Sequence, residues 1–231
     1  MKIAVYGDSY SVEYHNPKNL NPWVSIIRQQ EKNFEIDNFS QSGSSFYFSI
    51  TKFLENHFLY DKVIFIITHP GRLFVPNNEE FPHVSGIVNC DLRIESSNKI
   101  SEKVILESAR NYLRDVQNTD EEIFKHHCMF EKIGRIRTSN ILFIPVNSLS
   151  IPGYNGTVLT DISNIDIDYY KNDTFATRAD LRCCHMNQPN NEILANKVSS
   201  WLNGGDFTLD INHFKPPIEK ENEIWDKTYY L

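Results

Sequence analysis

The chain has 231 residues, 40% hydrophobic and 13% aromatic, enough apolar side chain for a packed core without disulfides or metals and too much for a disordered chain. Its formal net charge of -7 argues against nucleic acid as a partner, because phosphates need a basic face. No apolar run is long enough to span a bilayer, and MKIAVYGDS lacks a signal-peptide cleavage site, so a cytoplasmic protein with no membrane partner is expected.

Strand-like and helix-like segments alternate along the chain. Lys2 to Tyr6 (KIAVY) is short and apolar and stops at a glycine, as a buried parallel strand does. Asn21-Pro22 opens a helix, with Asn21 as N-cap and Pro22 at the first helical position, and Trp23, Ile26 and Ile27 share one face. Phe34 to Phe39 alternates as a second strand. Ser45 to Phe58 places Phe46, Ile50, Phe53, Leu54 and His57 at helical spacing. Lys62 to Thr68 (KVIFIIT) is the clearest central strand.

The polar stretch Pro76 to Asn98 reads as an inserted loop or small cap. Ser101 to Val116 is helical, with Ile105, Ala109, Tyr112, Leu113 and Val116 in one stripe. A further helix covers Asp120 to Arg137, and Asn140 to Val146 (NILFIPV) is another buried strand. Residues 151–184 are irregular. Pro189 to Trp201 is the last helix, followed by a polar tail that carries Trp225, Tyr229 and Tyr230. The alternation implies a three-layer α/β/α fold with a mostly parallel, flavodoxin-like sheet. It forms one domain over 1–204, with an insert at about 76–100 and a tail over 205–231. The tail aromatics suggest burial, against the chain's own domain or against a second copy in a homo-oligomer.

In such sheets ligands sit at the carboxyl ends of strands. Gly7-Asp8-Ser9 follows the first strand; Gly7 permits the tight turn and Ser9 shows its hydroxyl. Ser40-Gln41-Ser42-Gly43-Ser44 follows the second, where Gly43 lets backbone approach a bound group. Thr68-His69-Pro70-Gly71-Arg72 follows the third. Arg182-Cys183-Cys184-His185-Met186-Asn187 leads into the last helix.

These blocks, in this order, resemble the SGNH or GDSL-like serine hydrolases: GDS at the first strand, a glycine after the second, and a histidine ahead of the final helix in HMNQPNNEILANKV. The resemblance runs from residue 7 to about residue 202. It implies the SGNH-hydrolase fold, with Ser9 as nucleophile and His185 as general base. The N–H groups of Ser9 and Gly43 would form part of an oxyanion hole. A serine hydroxyl needs a base within hydrogen-bond reach, and the tetrahedral oxyanion needs preorganised donors.

The sequence departs from the family at two places. Where the family has an Asp three residues before the histidine, this chain has Arg182; Asp180 is the candidate substitute, with a backbone carbonyl as the other way to orient His185. Where the family has an Asn after the third strand, THPGR has none, and Arg72 is the candidate to meet an oxyanion or an anionic group. The resemblance points to a serine esterase acting on a short acyl ester, acetyl included, of a carbohydrate or small metabolite. An acyltransferase using the same intermediate, and a binding module with a degraded site, are the other readings. No cofactor or metal is expected. His126-His127-Cys128 on a helix face different directions, Asp161 to Asp173 lacks a calcium loop with its central glycine, and there is no phosphate-loop or dinucleotide motif.

Overall fold

The computed structural model describes residues 1–13, 21–75, 83–84, 87–137, 139–151, 153–163 and 185–216. Its strands are β1 (Lys2–Tyr6), β2 (Glu35–Asn38), β3 (Lys62–Ile67), β4 (Leu73–Phe74), β5 (His83–Val84) and β6 (Ile141–Pro145). Its α-helices are α1 (Trp23–Gln30), α2 (Phe46–Asn56), α3 (Ile87–Ser96), α4 (Ile100–Asp115), α5 (Thr119–Ile136) and α6 (Gln188–Leu202). Four strands make one parallel sheet in the order β2-β1-β3-β6. With β1 between β2 and β3, the ends of those three strands lie side by side, as at the switch point of a flavodoxin-like sheet.

The central strands are apolar on both faces, and alternation divides them between two cores. Ile3, Val5, Ile64, Ile66 and Ile144 face α1 and α6, where they meet Trp23, Ile27, Leu194 and Val198. Ala4, Tyr6, Val63, Phe65 and Ile67 face α2 and α5, where they meet Phe46, Phe53 and Ile133. The result is the three-layer α/β/α fold expected from the sequence. Register pairs Tyr6 with Phe65 and Phe65 with Phe143. Their rings stack across neighbouring strands at 5.1 and 5.6 Å, and Phe39 extends the row at 5.3 Å from Tyr6.

The structure revises several local expectations. Pro22, not Asn21, holds the N-cap position of α1 and supplies no side-chain bond. The orphan N–H of Trp23 bonds instead to Asn191 Oδ1 (3.1 Å), and that of Asn21 to Gln188 Oε1 (2.9 Å), so α6 caps α1 across the fold. Around the insert, β4 and β5 pair antiparallel, and α3 packs on α4 around Val84, Cys90, Leu106 and Ala109. That packing rotates the α4 stripe. Leu106, Ala109 and Leu113 face α3, Val116 is exposed, and Ile105 and Tyr112 line an open apolar groove of about 430 Å³ against Leu73 to Val75. On α2, Leu54 is exposed, and His57 lies past the helix end with its ring stacked on Phe53 at 4.7 Å.

Beyond α6, Phe214 is buried in the first core, and Lys215 exchanges backbone bonds with the Asn190 side chain (2.8 and 3.0 Å). Trp225, Tyr229 and Tyr230 lie outside the described residues. No helix among the described residues is long and apolar enough to cross a membrane.

On α5, His127 and Cys128 are exposed, whereas His126 is buried, with its ring 4.9 Å from Phe46 and its Nδ1 3.4 Å from the Ser150 carbonyl. Burial pushes the His126 imidazole down to about 4. An unfolded histidine titrates near 6.5, so between about pH 6.5 and pH 4 the unfolded chain binds a proton that the folded chain refuses. Stability from this residue is full above that window and is lost as pH falls through it, by about 3 kcal/mol. The urea midpoint should drop over this range, and His126→Phe should flatten the drop. An equal slope in the variant would refute the assignment.

Candidate active site

The carboxyl ends of β1, β2 and β3 converge on Gly7. A Cβ at Gly7 would lie 2.6 Å from Ile66 Cβ and 2.6 Å from Ser11 Oγ, so only glycine lets β1 pass between β3 and its own following turn. That turn runs from Asp8 to Ser11. The Ser11 N–H donates to the Asp8 carbonyl (3.0 Å), and the Tyr10 N–H donates to Asp8 Oδ1 (3.1 Å). A carboxylate that bonds the backbone two residues on sets such a turn locally. Ser9 occupies the turn's second position and is half-buried.

The loop after β2 is tied to the same glycine. The Gly7 carbonyl accepts from the Gln41 N–H (3.0 Å) and from Ser44 Oγ (2.7 Å). Between those two anchors Gly43 turns the chain at φ 74°, a left-handed conformation that favours glycine. Ser45 then caps α2 by accepting from the Phe48 N–H.

Arg72, after β3, reaches back beneath the turn. Its Nη1 lies 2.5 Å from Asp8 Oδ2 and donates to the Ser44 carbonyl at 3.3 Å. Asp8 has no exposed surface and Arg72 little, so this is a desolvated ion pair that holds two loops together. Two imidazoles lie close enough to feel its charge. Burial, then the Arg72 charge, lowers His69, whose Nδ1 accepts from the Gly71 N–H (3.0 Å). Burial, then Arg72 and Arg93, pushes His83 down to about 4, and its Nε2 donates to Gln41 Oε1 at 2.7 Å. Each ring therefore has an identified neutral tautomer.

His185 comes from the other end of the chain. Met186 forms an antiparallel bridge with Ser163, and Asn187 caps α6 by accepting from the Asn190 N–H (2.9 Å). Asn191 Nδ2 donates to the Met186 and Asn187 carbonyls, both at 3.0 Å. The His185 ring stacks on Tyr10, with centroids 5.2 Å apart and planes 18° apart. Ser9, Tyr10, Val12, Pro22, His185, Met186 and Asn191 line one cavity of about 10 Å³, the space of a single water.

Ser9 and His185, from the two ends of the chain, thus share a cavity, and Gly43 and Arg72 sit in the two loops clamped to the Ser9 turn. Asp180 lies outside the described residues. Sequence reasoning passed over Tyr10, Asp8 and Asn191. A tyrosine directly after the serine is visible in GDSY, but its contact with His185 needs the fold. No group of three or more His, Cys, Asp or Glu side chains is placed to hold a metal ion among the described residues.

A scan against protein-family models gives no match, and no curated protein matches the chain. Among solved structures the neighbours are lipases and esterases. The chain is similar to a lipase from a goat rumen metagenome (17% identity, TM-score 0.34, 64% of this chain and 63% of that one), so it spans just under two thirds of that protein's length. It is similar to the psychrotrophic esterase EstA from Pseudoalteromonas sp. (14%, 0.35, 88% and 99%). It is also similar to the acetyl xylan esterase AlAXEase (13%, 0.35, 87% and 100%). At these values the likeness carries no argument about activity, and the fold rests on the strand order and layers above.

Removing one partner of a buried ion pair strands the other's charge. Arg72→Ala should lower stability in urea by about 3 kcal/mol. Adding Asp8→Asn should restore part of the loss, because the amide keeps the acceptor for the Tyr10 N–H. A double variant that is worse than Arg72→Ala would show that Asp8 contributes through something other than this pair.

Proposed function

We propose that this protein is a serine hydrolase of the SGNH type that cleaves a short-chain acyl ester through an acyl-Ser9 intermediate. The observation that carries the reading is the cavity shared by Ser9 and His185 at the carboxyl end of the sheet. The order of blocks that resembles the family supports it independently.

Ser9 Oγ attacks the ester carbonyl carbon while His185 takes the hydroxyl proton. The carbonyl oxygen becomes an oxyanion, met by the N–H groups of Ser9 and Gly43. The intermediate collapses as His185 returns the proton to the leaving alcohol, and a water molecule then repeats the sequence on the acyl-enzyme. One preorganised oxyanion donor contributes ~10²–10³ in rate, and a positioned base roughly 10²–10⁴. In this reading Asp180, or a backbone carbonyl in its place, orients the imidazole. Arg72 lends positive charge beneath the oxyanion, much of it balanced by Asp8. If another alcohol replaces water, the same intermediate makes the protein an acyltransferase.

The reading is tested by a fluorophosphonate probe. Ser9 should be labelled, Ser9→Ala should not, and His185→Gln should slow labelling by roughly 10²–10⁴. Absence of labelling in the unaltered chain would favour a binding module, a reading that Arg182 and the missing Asn in Thr68 to Arg72 also motivate.

The resemblance implies a short acyl group, acetyl included. On nitrophenyl esters kcat/KM should be highest for acetate and fall with chain length, and a preference for octanoate would overturn this. Arg72→Ala should lower turnover per folded molecule, and unchanged turnover would remove Arg72 from the oxyanion site.

A further inference from the structure

We propose that Tyr10 is a positioning residue that sets the plane of the His185 imidazole. This rests on the reading of Ser9 and His185 as nucleophile and base. The reason to look for such a residue lies in the sequence: Arg182 stands where an orienting acid would be expected. A histidine's terminal torsion is broad, so a packed face is one way to fix the plane of the ring.

Tyr10 supplies a rigid face. Its ring lies 5.2 Å from the His185 ring at 18°, within the range of favourable stacked pairs. The tyrosine is itself held at each end. Its N–H donates to Asp8 Oδ1 (3.1 Å), and its carbonyl accepts from Trp23 Nε1 (2.9 Å). Its phenol oxygen lies 3.2 Å from Ser163 Oγ. Ser163 Oγ is held in turn by the Leu159 carbonyl at 2.6 Å. Ser163 also bridges the backbone of Met186, the residue after His185.

One anchor therefore fixes both the far end of the Tyr10 ring and the chain that carries His185. The near end of Tyr10 is peptide-bonded to Ser9. A single buried residue links the nucleophile's backbone to the base's ring, so the two move together. Stacking fixes the plane; the choice between the two ring flips is left to a hydrogen-bonding group.

The test combines NMR with kinetics on the full chain. The imidazole protons of His185, assigned by their loss in His185→Gln, should be shifted upfield by the Tyr10 ring current. Tyr10→Leu should remove that shift and lower kcat on nitrophenyl acetate by about tenfold with KM little changed. Tyr10→Phe should keep the shift and most of the kcat. If Tyr10→Leu does not fold, Tyr10→Met fills the space with a flexible side chain and should behave as Tyr10→Leu was expected to.

Unchanged His185 shifts in a folded Tyr10→Leu or Tyr10→Met protein would overturn the inference, whatever the activity. So would a lost shift with unchanged kcat. A lost shift in a protein whose unaltered form neither turns over esters nor takes the fluorophosphonate would leave the tyrosine's hold on the ring intact, and would sink the hydrolase reading instead.

Discussion

At the carboxyl end of the sheet the backbone packs tightly at Gly7. There β1 slides past Ile66 of β3 with no room for a side chain, and the glycine carbonyl takes two hydrogen bonds from the loop after β2. Three strand ends are pinned at one residue. The turn that carries Ser9 starts at the next peptide, so its position is inherited from the sheet and not from its own short sequence. Bulk at Gly7 would part β1 from β3 and move the serine with it.

Charge reinforces that pinning. Asp8 is fully buried and has Arg72 as its counter-ion, while burial and then that same charge lower the pKa of His69 and push that of His83 down to about 4. A buried pair of this kind contributes little net stability against a well-packed apolar alternative. What it adds is geometry: the bond to the Ser44 carbonyl fixes the third strand's loop against the second's.

The other half of the site depends on asparagines at the start of α6. Asn187 caps the helix, and Asn191 accepts from the Trp23 N–H while donating to the Met186 and Asn187 carbonyls. The same side chain therefore caps α1 and holds the segment next to His185. Trp23 in turn holds the Tyr10 carbonyl. The turn of Ser9 and the segment of His185 come from opposite ends of the chain, and α1 and α6 fasten them to each other.

The layer architecture was legible because its signals are local. Short apolar runs rich in Val and Ile, such as KIAVY and KVIFIIT, read as buried strands, and GDS at the end of the first places a serine at a sheet's carboxyl edge. The rotated stripe on α4 was not legible, since the helix face that is buried depends on α3 beside it. Nor was the capping of α1, whose acceptors lie about 170 residues away on α6. By itself the sequence determined the alternation of strands and helices and the order along the chain of the blocks that carry Ser9, Gly43, Arg72 and His185, because residue type and periodicity are properties of short segments. Only the tertiary structure decided what surrounds them: Arg72 against Asp8, Tyr10 against His185, and Asn191 between two helices. Each of those contacts joins residues remote along the chain or set by a turn's exact path, and no local preference encodes which distant group will fill a given space.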